Sequence, residues 1–106
     1  GCTGERQMTD ITIDVHRNHY HVTAEGHAED AMVCAGISVL TQTLAGCLMN
    51  HDDVKVKTFD IADGHVDLEW VSHGWKVLED VKMMTIGLLQ IEQSYPGNAK
   101  IKQNIF

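Results

Sequence analysis

Two residues of this 106-residue chain, His27 and Cys34, stand at the two ends of a short loop where a strand pattern gives way to a helix pattern. A thiol becomes a nucleophile only as thiolate, and a neighbouring imidazole is the usual means of making one near neutral pH. Cys34 also falls in the expected first turn of the helix, where unpaired N–H groups favour an anion. In such a pair the Cys attacks a carbonyl, the His acts as base and then as acid, and the first N–H groups of the helix hold the oxyanion. The competing reading is structural. A helical Cys is commonly a small buried hydrophobe, and a loop His is commonly a surface residue. Cys47 has no catalytic context and reads as core. No third, orienting member of the pair emerges from spacing, because Asp14, Glu25 and Asp30 are all near in sequence and none is singled out.

The remaining chemistry-bearing residues are less specific. His16, His19 and His21 cluster on one stretch, and alternating strand positions could project His side chains together toward a zinc ion. A solvated, His-rich strand face is the preferred reading, so no metal site and no organic cofactor is expected. Three cysteines make an odd count without a Cys-x-x-Cys spacing. This argues against a disulfide framework or a Cys-rich zinc site and for reduced thiols in a cytoplasmic setting. Cys2 receives no role. His51, His65 and His73 fall in loop or turn contexts with no partner evident from sequence.

Size and composition bound the answer. The length is that of one domain with a single two-layer core. A hydrophobic content of 43% and a charged content of 22% are ordinary for a globular chain. The sequence is read as having no apolar run close to the ~18 residues of a membrane helix, and no signal-peptide pattern. A formal net charge of −7 argues against nucleic acid, which requires a basic face. Residues 1–7 lack periodicity and read as a leader or expression remnant ahead of a domain over 8–106.

The elements that must position His27 and Cys34 follow from periodicity. Ile11, Ile13 and Val15 alternate with polar residues, as do Tyr20, Val22 and Ala24. Pairing Val15 with Tyr20 sets Ile13 against Val22 and Ile11 against Ala24, giving a half-buried antiparallel hairpin. Its turn, Arg17-Asn18, would place Arg at an unusual positive φ. A helix is expected over 30–50, capped by Asp30, with Val33, Ile37, Leu40, Leu44 and Leu48 as its core stripe. Cys34, Ser38 and Thr41 run along the edge of that stripe, and the small Ala35 and Gly36 admit a close neighbour.

Asp63-Gly64 signals a second hairpin with Ala62 opposite His65, Ile61 opposite Val66 and Phe59 opposite Leu68. Val54 and Val56 fall out of phase, which a bulge near Thr58 or a second partly buried face would explain. A last helix spans 75–94, ended by Tyr95-Pro96-Gly97, and 99–104 forms a short edge strand or a tail. The order β-β-α-β-β-α implies an α+β two-layer sandwich, an antiparallel sheet from two hairpins packed with two helices.

The wording around the two reactive residues is more specific than their types. Gly26-His27-Ala28, then Val33-Cys34-Ala35 with Ser38 four residues after the Cys, resembles the ribosomal-processing cysteine proteases, the Prp family. The resemblance spans most of 11–101. It implies that His27 and Cys34 are a catalytic dyad, with Gly26, Ala28, Asp30 and Ser38 supporting it or contacting substrate. It implies a homodimer with the same α+β fold. It also implies a protein substrate, either the N-terminal extension of a large-subunit ribosomal protein or a phage capsid or scaffolding protein. Nucleic acid and membrane are not implied as partners.

The sequence departs from the family's pattern in one place. Members usually carry a longer loop with a Gly-x-Asp before the Val-Cys-Ala, whereas here six residues separate His27 from Cys34 and Ala31 stands where the Asp would be. Asp30 is its nearest substitute. The alternative to an active protease is therefore an inactive module that binds a peptide or ribosomal partner.

Overall fold

The structure is a computed structural model that describes residues 8–62 and 64–105. The leader expected over 1–7, Cys2, and the Asp63 half of the second turn lie outside the described residues. The elements run β1 (Thr9–His16), β2 (His19–Glu25), α1 (Ala31–Met49), β3 (Val54–Ala62), β4 (His65–Ser72), α2 (Trp75–Ser94) and β5 (Ala99–Ile105). The five strands form one sheet in the order β3-β4-β2-β1-β5. The two hairpins meet through an antiparallel β2–β4 pair. The fifth strand was expected as an edge strand or a tail. It is an edge strand, parallel to β1, so the sheet is mixed rather than wholly antiparallel. α2 carries the chain from β4 past β2 and β1 to the far edge, where β5 runs in the same direction as β4.

Registers follow the alternation of apolar residues. Val15 pairs with Tyr20, Ile13 with Val22 and Ile11 with Ala24. A slip of one residue would turn every one of these side chains to solvent. Arg17 does adopt a positive φ of 58°, as the two-residue turn demands. In the second hairpin Ala62 faces His65 and Phe59 faces Leu68, and the register shifts between Val56 and Thr58. Lys57 is the extra residue of that bulge. Lys55 stands beside it on this edge strand, where bulges and lysines discourage pairing with another chain.

Both helices cover the same face of the sheet. Asp30 caps α1, its side chain accepting from the Met32 N–H at 2.8 Å. Val33, Ile37, Leu44 and Leu48 bury against Ile11, Ile13, Val15, Tyr20 and Val22, with Leu40 partly buried beside them. Each fully buried aliphatic contributes about 1.5–3 kcal/mol relative to exposure.

Two expectations for α1 change. Thr41, placed on the edge of the stripe, is fully buried. Its hydroxyl donates to the Ile37 carbonyl at 2.9 Å, which satisfies it inside the core. Gly36 is small because α2 packs there: a Cβ would stand 3.1 Å from Ile91 Cδ1. Gly87 does the same for Leu40. Nor does the expectation of no membrane-length apolar run hold. The 19 residues of α1 carry no Asp, Glu, Lys or Arg and have a mean hydropathy of 1.7, long and apolar enough by length and composition to cross a membrane. Here the helix lies on the sheet and contributes six buried residues to the core.

Candidate active site

His27 follows β2 at a sharp bend, and Gly26 makes the bend. Its φ is +99°, and a Cβ there would stand 2.5 Å from the Met8 carbonyl oxygen, so only glycine fits. The Gly26 N–H donates to the Gly64 carbonyl at 3.0 Å, tying the end of β2 to the β3–β4 turn. That turn is where the imidazole rests. A Cβ on Gly64 would lie 2.4 Å from His27 Nε2, so the ring occupies the space that glycine leaves. Sequence reading identified Gly64 only as a hairpin residue. Its role under His27 depends on a contact 37 positions away and has no local signal.

Cys34 sits on the first turn of α1, partly buried, with Sγ 3.6 Å from the Ala28 carbonyl. Ala28 is fully buried and anchors the loop between the two candidate residues. Asp30 fastens the other end, its N–H donating to Asn98 Oδ1 at 2.8 Å just ahead of β5. His27, Cys34 and the exposed Ser38 line one cavity of about 50 Å³, together with Gly26, Gly64 and His65. The structure thus brings the predicted His, Cys and Ser to one place, between the end of β2, the start of α1 and the β3–β4 turn. An imidazole and a sulfur around a small cavity can perform nucleophilic acyl transfer once the sulfur is a free thiol.

Three sequence expectations change here. Cys34 is disulfide-bonded in this structure, whereas the odd cysteine count argued for reduced thiols. Cys47 is free. The N–H groups expected to hold an oxyanion are already engaged. Met32 donates to the Asp30 side chain, and Val33 and Cys34 donate to the Asp30 carbonyl at 3.0 and 3.2 Å. Finally, the nearby carboxylates considered as orienting groups have other partners. Asp14 accepts from Asn104, Asp30 caps α1 and Glu25 binds His65. Among the described residues no side chain is hydrogen-bonded to His27.

The other histidines find the partners that sequence could not name. On the open face of the sheet His19 meets Glu69 and His21 meets Asp67, both at 2.7 Å. His51 pairs with Asp80 at 2.8 Å, and His73 is bonded to Asn18 at 2.9 Å. Among the described residues no three or more His, Cys, Asp or Glu side chains are grouped to hold a metal ion.

His65, on the cavity wall, is bonded to Glu25 Oε1 and lies 3.3 Å from Asp60 Oδ2. The Glu25 hydrogen bond chiefly, then the charges of Glu25 and Asp60, raise its pKa above the ordinary histidine value. The imidazolium is thus held by the folded state. Its contribution is complete below the ordinary histidine pKa and fades as pH rises through the raised value. An NMR titration should place the His65 midpoint above that of a model imidazole, and Glu25→Gln should return it toward the model. An unshifted midpoint in the wild-type chain would refute the pairing.

No curated protein matches the chain. Two structures of the ribosomal processing protease Prp from Staphylococcus aureus share the fold. The complex with a covalently linked product peptide is 23% identical, with a TM-score of 0.77, over 92% of this chain and 100% of that one. The complex with a substrate peptide is 20% identical with a TM-score of 0.76, over the same shares. A Streptococcus mutans protein is 21% identical with a TM-score of 0.72, over 93% of this chain and 99% of that one. The sequence profile of the family described as "Cysteine protease Prp" matches residues 8–100, which takes in the whole of the His27–Cys34 bend and six of the seven elements entirely, so this chain belongs to the cysteine protease Prp family.

Proposed function

We propose that this chain is a cysteine endopeptidase of the Prp type that removes an N-terminal extension from a ribosomal protein precursor in the cytoplasm, working as a homodimer. One observation carries the reading: His27 and Cys34 converge on one cavity, with the imidazole seated against Gly64. Cys34 Sγ attacks the scissile carbonyl carbon and its proton passes to His27. The tetrahedral intermediate collapses as His27 protonates the leaving amine. Water, its proton taken by His27, then hydrolyses the thioester and frees the thiol. Gly26 and Ala28 set the bend, Asp30 fixes the helix start, and Ser38 stands at the cavity mouth for a substrate contact. The substrate class is supported by the Staphylococcus aureus Prp structures, which hold a substrate peptide and a linked product peptide. No metal or organic cofactor enters the reaction.

A second reading, a peptide-binding module that does not cut, is favoured by one observation, the disulfide-bonded state of Cys34. The two part under reducing conditions. With reductant present, Cys34 is expected to alkylate faster than Cys47, whose thiol pKa is raised by burial and then by the charge of Asp80. His27→Ala should slow Cys34 and leave Cys47 alone. The reduced chain should also cut an extended ribosomal-protein precursor, read by product mass, with a phage capsid precursor as the second substrate arm. Equal alkylation rates and no cleavage of either precursor would leave the binding reading.

A further inference from the structure

A second histidine lines the cavity and takes no part in the proposed chemistry. His65 opens β4, directly after the glycine against which His27 rests. In the register it stands opposite Glu25, the last residue of β2, and opposite Ala62, the last residue of β3. Three neighbouring strands therefore end or begin at this point, and the chain leaves β2 here toward Gly26 and His27.

The His65 side chain joins those strands. Its Nδ1 is bonded to Glu25 Oε1, and its Nε2 lies 3.3 Å from Asp60 Oδ2 on β3. An ionised carboxylate only accepts, so serving both at once needs an N–H on each ring nitrogen. Only the imidazolium has two; the neutral ring carries one and must release a carboxylate. Glu25 and Asp60 would then face each other across β4 as like charges.

The surroundings favour the charged ring. Glu25 faces it from β2 and Asp60 from β3. Asp67 follows on the same face of β4 and is paired with His21. Asp10 of β1 stands opposite Glu25. From the helical side α1 brings no Asp, Glu, Lys or Arg, and His27 lies across Gly64. The Glu25 hydrogen bond first, and then these charges, keep the proton on the ring above the ordinary histidine value.

The bridge bears on the seat of His27. The Gly26 N–H is bonded to the Gly64 carbonyl, and Glu25 and His65 are the residues on either side of that bond. Side-chain bridge and backbone bond thus fasten the end of β2 to the same turn. The imidazole of His27 fills the space above Gly64, so any parting of the turn from β2 moves the seat away from the ring.

We infer that His65, as an imidazolium bridging Glu25 and Asp60, is a positioning residue that holds the Gly64 seat under His27 and thereby sets the reactivity of Cys34. This rests on the His27–Cys34 pair of the proposed function. Positioning is complete below the ordinary histidine pKa and fades as pH rises through the raised value.

Two rates test it, both on reduced chain at pH values where circular-dichroism melts show each variant folded: alkylation of Cys34 by iodoacetamide, and cleavage of an extended ribosomal-protein precursor. Below the ordinary histidine pKa, His65→Gln should lower each rate by roughly tenfold. The deficit relative to wild type should shrink as pH rises through the His65 midpoint measured by NMR, because the wild-type ring then loses its proton too. Cys47 alkylation should not change. His65→Lys keeps a cation between the carboxylates and should restore most of both rates. Glu25→Gln with Asp60→Asn, measured where His65 is charged without its partners, should be as slow as His65→Gln.

A His65→Gln deficit equal at every pH would overturn the bridge, since lost packing alone produces that. A fast Glu25→Gln, Asp60→Asn chain would overturn it in favour of the ring's charge acting by itself. A raised KM with Cys34 alkylation unchanged would overturn it in favour of direct substrate contact. The protease reading fails separately: a wild-type chain that cuts no precursor, yet shows the pH-dependent alkylation deficit, would overturn that reading and support the bridge.

Discussion

Cys34→Ala is expected to abolish precursor cleavage, and Gly64→Ala to lower kcat/KM by roughly a hundredfold while the chain stays folded. The first removes the sulfur at the cavity that forms the thioester in the proposed reaction. The second acts through position. A methyl group on Gly64 would occupy the space 2.4 Å from His27 Nε2, so one of the two must give way. The imidazole is the end of a rotatable side chain and gives way easily, whereas the turn is pinned by the hydrogen bond from Gly26 to the Gly64 carbonyl. Displacing a general base by about an ångström is enough for a loss of this size. The stability cost is separate and smaller. Gly64 has a φ of +73°, where an alanine costs about 1–2 kcal/mol. Circular-dichroism melts and steady-state cleavage in reductant separate the two effects. A folded Gly64→Ala chain of wild-type activity would show that the seat against the turn does not position His27, and cleavage by Cys34→Ala would remove Cys34 from the chemistry.

What the sequence made legible was whatever repeats locally. The two hairpin registers rest on strict alternation, and the bulge beside Thr58 on a break in that alternation. Both helices rest on an apolar stripe and clear ends, Asp30 before one and Tyr95-Pro96-Gly97 after the other. Contacts between distant segments were not legible. The parallel seat of β5 beside β1 depends on a crossover that no periodicity encodes. The space above Gly64, the engagement of first-turn N–H groups by Asp30 and the bonded state of Cys34 are likewise products of tertiary structure. The candidate pair was visible because its residue types and flanking words are specific. Its setting was not, because what surrounds it arrives from β3, β4 and the segment ahead of β5.

Trp70→Ala is expected to cost about 3–5 kcal/mol, much of the roughly 5–15 kcal/mol that holds a domain together. Trp70 is the largest of the fully buried side chains. It sits on the interior strand β4 directly opposite Tyr20 of β2, and the two rings stack at 5.2 Å with an interplanar angle of 0°. Truncation would leave a void between the sheet and the helices and strip Tyr20 of its partner. The indole has a cost of its own, because among the described residues its Nε1–H is buried without a hydrogen-bond acceptor. Burying an unpaired donor of this kind costs about 1–3 kcal/mol. Trp70→Phe should therefore be far milder than its lost volume suggests, since it keeps a ring against Tyr20 and removes the unpaired donor. Urea unfolding followed by tyrosine and far-ultraviolet signals measures both variants. Losses of similar size for Ala and Phe would show that the void, and not the donor, sets the energy here. The same pair bears on function through β4, which runs from His65 at the cavity to Trp70 in the core. Cleavage by Trp70→Ala should follow its folded fraction as urea is added, whereas Gly64→Ala should stay impaired even where it is fully folded.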